Sequence, residues 1–183
     1  MHELTDRELY EAIEYARNID EETGRSIMQK LQIEQPALAQ TVFSVFPSLI
    51  AQQNQEMAHL FMELCFDTLC VYQHAFGHVP AQSEEWLEHQ MSLLDAELQS
   101  LMPDQQMNEK IRTKLKNRFT ERAYNEVTQL RLLEVMNESI DDYASESTSR
   151  GDSVKFTQNM MFTMIRLLSN LYSQTAENPS NKG

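Results

Sequence analysis

Cysteine occurs at only two of the 183 positions, 65 and 70. Five residues apart on a helix, the two side chains point about 140° away from each other, so they cannot pair within it. The chain needs no disulfide to fold, because one of this length buries roughly 70% of its unfolded surface. Two buried free thiols favour a reducing compartment. Glycine is limited to four positions. That argues against a nucleotide pocket, since backbone amides approach phosphate best where no Cβ intervenes. No Gly-x-Ser-x-Gly and no glycine-rich phosphate loop is present, and nothing else points to nucleophilic catalysis. Long apolar runs are also missing. The longest are broken by Glu63, Asp67 or Arg166, so no membrane insertion is expected. The first residues, MHELTDRELYEAIEYAR, are acidic where a secretory signal is basic and then apolar, so a cytoplasmic location is expected.

Cations are missing from one long stretch. Between Lys30 and Lys110 there is no lysine or arginine, while the same stretch carries eleven acids. Lys110, Arg112, Lys114, Lys116, Arg118 and Arg122 then follow within thirteen residues. The net charge of −13 argues against wholesale nucleic-acid binding, which needs a cationic surface, and no nucleic-acid partner is expected. The segregation predicts an acidic face and a basic segment on one molecule.

What is present is helical periodicity. Strand-like alternation bounded by hairpin turns is not seen. Thr5 and Glu8 form a capping box before Leu9, Ile13 and Ala16. A short second helix fits residues 22–35. Pro36 suits the first turn of a third, which is apolar on most sides, and Pro47 either kinks or ends it. A fourth, long helix is expected from about Ser48 to Phe76, stopped by Gly77. Ser83 is the expected N-cap of a fifth, whose Leu87, Met91, Leu94, Leu98 and Leu101 have the spacing of a bundle seam. Residues 104–145 carry hardly a breaker. They read as one long helix, either interrupted near Asn117–Thr120 or projecting from the body. SESTSRGDS, at 145–153, reads as a polar linker before a last helix with Met161, Met164, Leu168 and Leu171 at seam spacing. The expected fold is all-α: a bundle of six or seven helices, largely antiparallel, packed around the third and fourth. Residues 1–176 form one domain and 177–183 a disordered tail.

One constellation on the fourth helix invites a chemical reading. Glu56, His59, Glu63, Asp67, Cys70 and His74 fall on a face about 80° wide. Glu56-Met-Ala-His59 is a Glu-x-x-His, the unit that carboxylate-bridged metal proteins place inside four-helix bundles. Carboxylate and imidazole suit iron, manganese or zinc, so Glu56, His59 and Glu63 are the candidate metal ligands. A di-iron site wants a second Glu-x-x-His from another helix, and the sequence has none. Any amphipathic helix shows a polar stripe opposite an apolar one, so a solvated face is the preferred reading and no metal or cofactor is expected. His74 and His78 are separated by the helix-ending Gly77 and read as surface histidines.

The basic segment KIRTKLKNRFTER reads first as a solvated charged face; its cations also flank an Ile111–Leu115–Phe119 stripe, which suits contact with an acidic partner helix. Its single aromatic makes a base-stacking platform a poor fit. The eleven methionines read first as core filler and second as adaptable binding surface. With no catalytic residues to name, the expected function is a non-enzymatic protein-interaction, assembly or regulatory factor. Its expected partners are an unidentified protein and a second copy of itself. A forty-residue helix would overshoot a bundle about 30 Å long, so its stripe needs a cover. Leu115, Phe119, Val127 and Leu130 are therefore expected at a homodimer interface. The alternative is a helical-bundle metalloenzyme or sensor built on the Glu-x-x-His.

Overall fold

The computed structural model describes residues 1–79, 81–101, 108, 110–111, 113–114, 117, 121 and 128–177, without the side chains of 93–101 and 174–177. Every regular element among them is helical, and the fold is an all-α bundle. In chain order the elements are α1 (Asp6–Asn18), α2 (Glu21–Glu34), α3 (Pro36–Gln40), a π turn (Thr41–Val45) and α4 (Phe46–Ala51). They continue with α5 (Gln55–Phe76), α6 (Glu84–Leu101), α7 (Leu130–Ser145), a 3-10 turn (Thr148–Ser153) and α8 (Val154–Glu177). No helix among the described residues is long and apolar enough to cross a membrane.

The helix starts follow from side-chain caps. Thr5 and Glu8 form the expected capping box, the Thr5 hydroxyl accepting from the Glu8 amide while Glu8 takes the Thr5 N–H. Asp20 accepts from the Thr23 amide at 2.8 Å and starts α2. Ser83 accepts from the Trp86 amide at 3.2 Å and starts α6, as the sequence suggests. Pro36 stands in the first turn of α3.

Pro47 does not end its helix. Its ring would press on the carbonyl of Phe43, one α-turn back. The backbone widens there into the π turn, with the Phe46 amide donating to Thr41. The helical path therefore continues past Pro47 to Ala51. The expected single helix from Ser48 to Phe76 is divided instead, because Asn54 caps a new helix by accepting from the Met57 amide at 3.0 Å. Gly77, at φ +86°, ends α5 in a conformation that side chains rarely adopt.

The stretch expected as one long helix is also divided. Asn108, Thr128 and Gln129 are not helical, and α7 begins at Leu130. The Gln129 side chain is occupied elsewhere: its carbonyl accepts from the Leu4 amide at 3.0 Å and its amide donates to the His2 carbonyl at 2.7 Å. This buried glutamine pins the N-terminal strand of chain to the start of α7, and Arg131 adds an ion pair to Asp6.

The core centres on α5, as expected, and on α8, which was not expected to be central. Met160, Met161, Phe162, Met164, Ile165, Leu167, Leu168, Leu171 and Tyr172 are all buried, so most of α8 is covered, with Lys155 exposed and Asn159, Arg166 and Asn170 partly so on one stripe. Its small polar residues tolerate this because their hydroxyls return to the backbone: Thr157 donates to Ser153 and Thr163 to Asn159. Thr68 meets Met161, Tyr72 meets Ser169, and Tyr172 reaches the carbonyl of Gly77. These pairs advance together along both helices, so α5 and α8 run parallel. The chain makes a long crossover through α6 and α7 to achieve this within a largely antiparallel bundle. Of the tail expected at 177–183, Glu177 belongs to α8 instead, and 178–183 lie outside the described residues.

Candidate functional site

The polar stripe of α5 is split among different neighbours rather than gathered into one centre. Glu56 accepts from Arg150 Nε at 2.7 Å. Arg150 also donates to the Tyr143 carbonyl at 2.7 Å, lies 3.9 Å above the Tyr143 ring, and keeps its side chain only 13% exposed. His59 is exposed and sits 3.1 Å from the Gln55 amide nitrogen. Glu63 is exposed. His74 stacks on Tyr15 with ring centroids 4.6 Å apart, and His78 pairs with Glu34. Among the described residues, no group of three or more His, Cys, Asp or Glu is placed to hold a metal ion. Glu56, His59 and Glu63 share a helix face, as their spacing requires, but Glu56 is committed to Arg150.

Both cysteines are buried free thiols, as expected. Burial drives the Cys65 thiol far above its usual range and, with the charge of Asp67, pushes Cys70 up to about 12. Neither is an activated nucleophile.

A shaped surface does occur beside this stripe. Between α1, α2, the π turn and α5 lies an open groove enclosing about 640 Å³. Ile19, Met28, Phe43, Met62 and Phe66 supply its apolar wall, each only partly covered. Arg17, Glu63 and Asp67 mark its polar edge. The groove exists because α2 carries a single fully buried residue, Leu31, and packs chiefly on α3. Gly24 sets the spacing at one point: a Cβ there would lie 3.3 Å from Phe66 Cζ. Asp67 is held above the ordinary carboxylate range by burial, which the charge of Arg17 partly offsets and that of Glu63 reinforces.

The sequence reading placed Glu63 and Asp67 on the correct face but did not bring Met28 and Phe43 to them. Those two come from separate helices, and their convergence depends on the approach angle of α2, which leaves no local mark. Arg150 was read as part of a linker. Its only signal was an arginine isolated in a polar run. Of the expected interface residues, Leu115, Phe119 and Val127 lie outside the described residues, while Leu130 is half-buried at the first position of α7. No protein-family model, curated protein or solved structure matches the chain.

Proposed function

We propose that this chain is a non-enzymatic protein-interaction or assembly factor, acting in the cytoplasm as a homodimer. The observation that carries the reading is the groove between α1, α2 and α5. It offers partly covered Met28, Met62, Phe43 and Phe66 beside a short polar edge. Flexible thioethers and aromatic rings adapt to an apolar helix face, and helix-in-groove docking needs no catalytic groups. The two buried free thiols suit a reducing compartment. The dimer rests on the Leu115, Phe119, Val127 and Leu130 stripe of the sequence.

Two measurements test this. Affinity capture from the native cell compares the wild type with the Met28→Asp, Met62→Asp double variant. A partner held by the wild type and lost by the variant supports the reading, and identical captured sets reject the groove. Light scattering at tens of micromolar, an ordinary concentration for protein interfaces, tests self-association. Phe119→Asp with Val127→Asp should give a monomer that keeps most of its helicity. A monomeric wild type overturns the dimer.

A further inference from the structure

A second cleft lies between residues 36–45 and α6, enclosing about 350 Å³. Ala37, Val45, Leu87 and Met91 supply its apolar surface, and Val45 is 44% exposed. Its charged groups are both acids, Glu84 and Glu88, one helical turn apart on α6. The whole stretch from residue 31 to 109 has no lysine or arginine to neutralise them.

The same chain carries a complementary surface. Lys110, Ile111 and Lys114 are exposed on helical backbone, with Ile111 54% exposed, and the Asn108 side chain caps this helical start by accepting from the Lys110 amide at 2.9 Å. Lys110 and Lys114 are four residues apart, as are Glu84 and Glu88. Each pair therefore spans about 6 Å of helix rise, and two helices laid side by side bring both pairs into register. Among the described residues, no ion pair involves any of these four. Among the described residues, then, no ion pair joins the acids of the cleft to Lys110 or Lys114 within one copy.

We propose that this cleft receives the basic segment at 110–122 from a second copy of the chain, Lys110 and Lys114 meeting Glu84 and Glu88 while Ile111 covers the apolar wall. The inference rests on the homodimer reading and names its contact. By two-fold symmetry each copy gives one segment and accepts one, so the contact closes as a dimer.

A charge exchange tests it. One variant carries Glu84→Lys and Glu88→Lys, the other Lys110→Glu and Lys114→Glu. Each alone sets like charges against each other, and dimerisation should weaken at least about tenfold. Mixed in equal amounts, the two variants restore both complementary contacts, and a heterodimer should form with affinity near that of the wild type. Circular dichroism checks that each variant keeps its helicity. If both variants dimerise as tightly as the wild type, the contact is refuted while the homodimer stands. Weakening without rescue on mixing refutes the intermolecular pairing. A wild-type monomer removes both the contact and the dimer.

Discussion

The Tyr72 hydroxyl lies 2.7 Å from Ser169 Oγ, between the two parallel central helices. It also reaches the Ile165 carbonyl at 3.2 Å, so α5 is tied to both a side chain and the backbone of α8. Tyr72→Phe keeps the ring and removes the bond, leaving the Ser169 hydroxyl in an apolar interior. A loss of about 1–2 kcal/mol is expected from urea unfolding. Combining it with Ser169→Ala should cost less than the sum of the two single changes, and strict additivity would show that the bond contributes nothing.

Arg150 organises the turn between α7 and α8 through Glu56 and the Tyr143 carbonyl, and Asn54 adds a bond to the carbonyl of Ser149 at 3.1 Å. Arg150→Met should therefore lower the melting temperature more than Glu56→Gln, because it also leaves the Tyr143 carbonyl without its donor. A larger loss from Glu56→Gln, or a wild type whose melting falls on adding a chelator, would return Glu56 to the metal-ligand reading.

Asp67 gives the groove a pH dependence. Its folded-state pKa is raised, so the folded chain holds that proton more tightly than the unfolded one. Its contribution to stability is full below the ordinary carboxylate value and is lost as pH rises through the raised value. Asp67→Asn cannot ionise. Its stability relative to wild type should therefore improve as pH climbs through that window, as measured by denaturant midpoints across a pH series. A constant difference would place Asp67 in water.

The thiols report on opening of the core. Cys65 and Cys70 are both fully covered, and neither ionises near neutral pH. Native protein at pH 8 should resist iodoacetamide, whereas denaturant should release two reactive thiols together. Fast labelling of one cysteine under native conditions would mean that α5 opens locally, on a path separate from global unfolding.

Features written within a few residues were legible from the chain. Thr5 with Glu8, Ser83 and Gly77 each act on the next turn of backbone, and the structure places all three where their chemistry predicts. The all-α class followed from the same local grammar. Asn54 was overlooked because it stands among glutamines in QQNQE, where a cap leaves no contrast. The central place of α8 was hidden because Thr157, Thr163 and Ser169 put polar groups all round the helix, and their hydroxyls are satisfied only once its own backbone and Tyr72 are in place. The α5 stripe was legible as a face, but which of its members would be covered was not. Cys70 is buried and Glu63 exposed on that one face, because neighbouring helices cover only part of its length.

The clamp of Gln129 on the backbone of His2 and Leu4 joins residues more than a hundred positions apart. On a ribosome, the segment 2–6 emerges long before residues 129–131 exist to receive it. Until then α1 can lie against α5, but the Leu4 N–H and the His2 carbonyl lack the partner that Gln129 supplies. Such a distant closure carries a large loop entropy and belongs late in folding. Seating of that segment therefore marks the arrival of the start of α7: hydrogen exchange at Leu4 should slow only in nascent chains long enough to expose Gln129.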